Sequence, residues 1–152
     1  MAIYTSRYAN KELKNEGYYP VGISIGSPKY ALGYTEREHC YALAPKGFML
    51  KMEFVPYKEA YIKKLEDIGT SKIIAMVRKM EQNAAAEGKK LVLLCFEDIR
   101  QPSQWCHRTI FAEWWKAHTG EAIEELAEAT ALKPKREPKA EKPAEDTQLS
   151  LF

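Results

Sequence analysis

Cys106-His107-Arg108 sets a thiol, an imidazole and a guanidinium on three consecutive residues, the densest run of reactive side chains in the chain. A thiol in the first turn of a helix is acidified by free backbone N–H groups and the helix dipole, which gives Cys106 the makings of a nucleophile. Against that, successive helical residues project about 100° apart, which turns His107 away from Cys106 as its base. The same spacing puts Cys106 on one stripe with Ile110 and Trp114, the place of a buried structural thiol. His107 offers proton transfer, ligand orientation or a cap on a neighbouring carbonyl. Arg108 carries a planar fork suited to phosphate or carboxylate, unless it serves at the surface or as a cap.

Glu97, just outside the apolar run Leu91-Val92-Leu93-Leu94-Cys95-Phe96, joins Cys106 and His107 as a candidate catalytic residue. A carboxylate there accepts a proton from a base or ribose, or it pairs with Arg7 or Arg108. Ser6, Arg7 and Ser24 fall at the ends of two other predicted strands and join Arg108 as candidate ligand-binding residues. His39, Cys40, Cys95, Cys106 and His107 contain no pair with zinc-ligand spacing, so no metal is expected, and no cofactor is implied. Cys95 and Cys106 make a thiol sensor only if their sulfurs come within disulfide reach. Trp105, Trp114 and Trp115 read as core and helix cover ahead of a base-stacking platform.

The elements that must position these residues follow from periodicity. Residues 2–6 and 19–25 read as strands, the second carrying β-branched Val21, Ile23 and Ile25. Residues 8–16 read as a helix stopped by Gly17, and 26–55 as a long irregular segment punctuated by glycine and proline. Tyr57, Tyr61, Ile62, Leu65 and Ile68 fall at helical spacing. A second helix, capped by Thr70 or Ser71, carries Ile73, Ile74, Val77, Met80 and Ala84 and ends at Gly88. The run 91–96 has the character of a strand covered on both faces. Helices are expected over 106–117 and, shorter and acidic, over 119–129. Alternating strands and helices imply an α/β domain: a small, mostly parallel sheet flanked by helices, with the first strand between the other two. Ligands then bind where strands end and helices begin.

Composition bounds the rest. An apolar fraction of 45% fills a real core, and a formal net charge of +2 gives no basic field for binding nucleic acid without a guide. Three cysteines form an odd set without scaffold spacing, which suits a reducing cytosol. No basic-then-apolar leader opens the chain, and no run approaches the roughly 20 apolar residues of a membrane span. A cytoplasmic protein with no membrane partner is expected. The α/β domain occupies residues 1–130. Residues 131–147, dominated by Lys, Glu, Pro and Ala, hold no anchor for a core and read as a disordered linker. Such a linker reaches about 20 to 25 Å root-mean-square.

Gln148-Leu149-Ser150-Leu151-Phe152 follows that linker. An extended peptide of this kind offers Leu149, Leu151 and Phe152 to an apolar groove while the Gln148 amide fixes register. The pentapeptide resembles the motif by which bacterial and phage proteins dock onto the sliding clamp of the DNA polymerase. By average composition it arises by chance at roughly one position in several hundred thousand.

A second resemblance covers about residues 1–118. Leu93-Leu94-Cys95-Phe96-Glu97, then Cys106-His107-Arg108 with Ala112-Glu113-Trp114-Trp115, resembles the domain of unknown function 488 family. Ile3-Tyr4-Thr5-Ser6, Tyr8-Ala9-Asn10 and Leu43-Ala44-Pro45 match its earlier signatures. The resemblance implies an α/β fold and names no activity. Many members of that family carry an Arg on the second strand, where this chain has Gly22-Ile23-Ser24-Ile25-Gly26. The two ends together imply a DNA-metabolism protein tethered to the clamp. Its domain binds the phosphate of a nucleotide or nucleic acid, as a site for base or nucleotide modification or hydrolysis. The alternative is a non-catalytic phage or prophage protein that occupies clamp grooves and diverts host replication factors.

Overall fold

Leu91 to Cys95 are each at most 4% exposed, which forces this strand into the middle of a sheet. The computed structural model describes residues 2–100 and 105–128. Among them, β1 (Ile3–Arg7), β2 (Tyr18–Gly22), β3 (Glu38–His39), β4 (Lys90–Cys95) and β5 (Glu124–Glu125) form an all-parallel sheet in the order β3-β2-β4-β1-β5. Three helices accompany it: α1 (Phe54–Ile68), α2 (Thr70–Ala86) and α3 (His107–Thr119). The expected α/β class is therefore present. The expected order is not, because β4, not β1, lies between the other two long strands. The reason is side-chain alternation. Leu91 and Leu93 pack into the core shared with the three helices, while Val92 and Leu94 fill a second cluster on the opposite face. β1 cannot take that place, since Tyr4 and Arg7 are only half-buried.

The helices all belong to the larger core, through Tyr57, Tyr61 and Leu65 of α1, Ile73 and Val77 of α2, and Ile110, Phe111 and Trp115 of α3. Among the described residues the other face is covered without α-helix, by Tyr8, Leu13 and Leu126 with Leu32 and Tyr34 laid against them. Gly69, at φ 113°, is the whole joint between α1 and α2, a backbone turn that an L side chain strains to make. No helix among the described residues is long and apolar enough to cross a membrane.

Three expected elements change. The helix over 8–16 shrinks to a single 3-10 turn at Lys11–Lys14, with the Asn10 side chain accepting from Glu12 N–H. Tyr8 is unavailable to a helix because its N–H is spent on the Cys95 carbonyl at 2.9 Å. The acidic helix over 119–129 is a strand, β5, paired with β1 after Gly120 (φ 79°) ends α3. Ile123 and Leu126, three apart, look like one helical face but serve opposite faces of the sheet. The irregular segment 26–55 contains β3 and two 3-10 turns, and β2 ends at Gly22, before Ile25. A Cβ at Gly22 would stand 2.6 Å from His39 Nδ1, so β2 and the His39–Glu36 pair close on each other there.

The buried phenols predict an alkaline limit. Burial, the leading cause at each, holds Tyr8, Tyr34, Tyr57 and Tyr61 above the ordinary tyrosine range. Raised folded values mean that their contribution is complete below about pH 10, the unfolded value, and is lost as pH rises beyond it. Melting temperature followed against pH is expected to fall steeply above about pH 10, together with tyrosinate absorbance. Tyrosines that ionise without loss of fold would contradict this.

Candidate active-site pocket and its thiol cluster

The parallel register brings the ends of three strands to one edge. Arg7 pairs with Cys95, Gly22 with Leu94, and the chain leaves β4 through Phe96 and Glu97. α3 starts at the same edge, but its first helical residue is His107. Cys106 is the N-cap, with extended backbone at φ −148° and ψ 152°. That removes the geometric objection raised by the sequence. Helical spacing does not apply across this junction, and Cys106 Sγ lies 3.5 Å from His107 Nδ1. Cys95 Sγ reaches the same nitrogen at 3.6 Å from the opposite strand end.

His107 is buried, and its orientation is fixed from behind. Its Nε2 is 2.6 Å from the Ile23 carbonyl oxygen, which can only accept, so Nε2 carries the hydrogen. Nδ1 therefore faces both sulfurs. Burial opposes ionisation of Cys106, but the hydrogen bond from Cys95, the contact with His107 and the charge of Arg108 outweigh it. The Cys106 thiol is held well below its usual range. Cys95 moves the other way, because its hydrogen bond to Cys106 and its burial keep the proton on its sulfur. Glu97 Oε1 stands 3.5 Å from Cys95 Sγ, and burial, then the charge at Cys106, raises its carboxyl.

A pocket of about 360 Å³ opens over this cluster. Cys95, His107 and Glu97 contribute to its lining, with Ser24 and Gly26 from the turn after β2. Tyr57 and Trp105 supply aromatic walls, set edge to face at 4.7 Å, and Phe54 backs Trp105 at 5.3 Å. Ile25, Leu50 and Phe96 stand at its edge, 42%, 64% and 43% exposed. None of the described lining residues is Lys or Arg.

The candidate ligand residues are divided by this geometry. Ser24 lines the pocket, where its Oγ lies 2.6 Å from the Gly26 carbonyl and 2.8 Å from the Tyr8 hydroxyl. Arg108 does not line it. Fully buried, Arg108 donates from Nε and Nη2 to the two carboxylate oxygens of Glu125 at 3.0 and 2.9 Å, and from Nη2 to the Glu97 carbonyl at 2.7 Å. It fastens β5 to the start of α3. Arg7 is taken up by Glu128, with bonds of 2.9 to 3.1 Å. Ser6 is buried, donating to the Arg7 carbonyl and accepting from Asn10. Among the candidate catalytic residues, Glu97 and His107 line the pocket, and buried Cys106 contacts His107 without being among the lining residues. Sequence reasoning placed Cys95 at this edge, as one thiol of a sensor, and missed Tyr57 and Trp105 as parts of the site. Trp114 and Trp115 are core, as expected, whereas Trp105, one residue ahead of Cys106, is only half-buried against that core and also lines the pocket. The linker 131–147 and the pentapeptide 148–152 lie outside the described residues.

No family model, curated protein or solved structure matches this chain.

Proposed function

We propose that this chain is a protein of DNA metabolism, carried to the bacterial sliding clamp by Gln148–Phe152. Its pocket holds a planar heteroaromatic ring of the nucleobase kind. The observation that carries the second part is the lining: aromatic walls at Tyr57 and Trp105, acceptors at Glu97 and Ser24, and no cation among the described lining residues. A phosphate needs donors and positive charge, and Arg7 and Arg108 are committed to carboxylates. A ring needs flat apolar walls and a few hydrogen-bonding groups at its edge, and a pocket of about 360 Å³ accommodates one with its sugar. This reading replaces phosphate with base as the part that is gripped. Glu97, His107 and the two thiols stand where modification or hydrolysis of such a ligand would need them.

Nucleosides are expected to quench the fluorescence of full-length protein, and inorganic phosphate is expected not to compete. Base stacking on an aromatic is worth about 1 to 3 kcal/mol, so Trp105→Ala should weaken binding by about 5- to 150-fold with its circular dichroism unchanged. Competition by phosphate, or equal affinity in a folded Trp105→Ala protein, would refute the base reading and leave the tether untouched.

A further inference from the structure

The geometry points to a divalent-metal site of zinc type at Cys95, Cys106 and His107, with its fourth coordination position turned to the pocket. Among the described residues these three form a group whose ligand atoms all lie within 4.8 Å of one another, and all three are buried. Tetrahedral zinc, with Zn–S of about 2.3 Å and Zn–N of about 2.0 to 2.1 Å, sets a bound sulfur and nitrogen about 3.5 to 3.6 Å apart. The two sulfur–nitrogen distances here are 3.5 and 3.6 Å.

The arrangement behind the ligands points the same way. Nε2 of His107 is bonded to the Ile23 carbonyl, the kind of outer contact that orients a metal-binding imidazole and leaves its other nitrogen as the donor. That nitrogen has one lone pair, and two thiols converge on it. One S–H···N bond uses up that lone pair, whereas a metal ion between the three engages all of them. Binding displaces to solvent whatever protons the group holds, so two thiolates and a neutral imidazole balance the 2+ ion. Cys106 is then a ligand, not a nucleophile.

The fourth position suits water. Cys95 and His107 both line the pocket, so the open side of the group meets its interior. Glu97 lies 3.5 Å from Cys95 Sγ yet falls outside the mutually close group, beside the open position. There its carboxylate can take a proton from metal-bound water, which leaves a hydroxide facing the ring site. The pairing of a strand-end cysteine with a helix-start Cys-His explains why sequence spacing gave no sign of a site.

The test uses full-length protein, reduced and freed of metal with chelator, then titrated with Co²⁺ as the probe. Reduction matters because a Cys95–Cys106 disulfide would remove both ligands. The expected result is the strong visible absorption of tetrahedral cobalt and a thiolate-to-metal charge-transfer band, saturating at one ion per chain and bleached by Zn²⁺. Loss of outer-shell partners alone costs metal sites about 10- to 100-fold in affinity, so Cys106→Ser and His107→Ala should each lose at least about tenfold. Cys40→Ser, whose sulfur contacts Met76 instead, should titrate like the parent. If either ligand variant fails to fold, the parent spectrum still decides. Folded, reduced parent protein without the tetrahedral bands overturns the site, as does an unchanged titration in folded Cys106→Ser. Neither result bears on nucleoside binding, which is read by Trp105 fluorescence.

Discussion

Glu125→Ala is expected to cost the domain about 3 to 5 kcal/mol, far more than a substitution on a two-residue edge strand should. The cause is Arg108. Its guanidinium is fully buried, and Glu125 is the carboxylate that receives Nε and Nη2. Removing that acid leaves a positive charge enclosed, with Nη1 already lacking a partner. The partners are unequal, since the Glu125 side chain is 27% exposed and can turn to water if the arginine is lost. Arg108→Met should therefore be milder, and the double variant Arg108→Met/Glu125→Ala should recover much of the loss. Urea denaturation of the parent and three variants measures the cycle. Glu125→Ala within about 1 kcal/mol of the parent would show that the pair does not hold the fold.

Deleting residues 148–152 is expected to abolish retention on immobilised sliding clamp without changing domain stability. A peptide whose part is to dock on a partner contributes nothing to the core of its own domain, which is why unchanged stability is the expected outcome. Burial of Leu149, Leu151 and Phe152 in a groove yields roughly 5 to 8 kcal/mol before costs, and ordering the peptide takes back several. An affinity near micromolar follows, about −8 kcal/mol at best, strengthened where one ring presents several identical grooves. Phe152→Ala alone should weaken binding by about 10- to 100-fold. Undiminished retention of the truncated chain would end the tether reading. If truncation removes every effect on replication while variants at Glu97, Cys95 and His107 change nothing, the chain is a clamp-blocking protein instead.

The sequence revealed the layers but not their arrangement. A continuous apolar run marked β4, and helical spacing located α1, α2 and α3 to within a few residues. The order of strands depends on which face each side chain meets, and that is a property of packing, invisible in periodicity alone. Ile123 and Leu126 show the same limit, because a separation of three suits a helix face or two sides of a strand. At the site, Cys106-His107-Arg108 was legible as chemistry, but its local geometry was not. One extended residue at position 106 brings the thiol to the imidazole, and one acid from the edge strand withdraws the arginine. Nothing local in the sequence announces either. Tyr57 and Trp105 carried helix-face and cluster patterns that hid their position at a pocket wall.

β5 has a mechanical meaning if the chain beyond it is held by a moving ring. Tension arriving from residue 129 onward is transmitted first to Glu128 and Glu125, which Arg7 and Arg108 grip, and to Leu126, whose N–H is bonded to the Thr5 carbonyl at 2.7 Å. Because β5 runs parallel to β1, a pull directed along the strands loads those fasteners together, as a lap joint is loaded, and does not peel them one at a time.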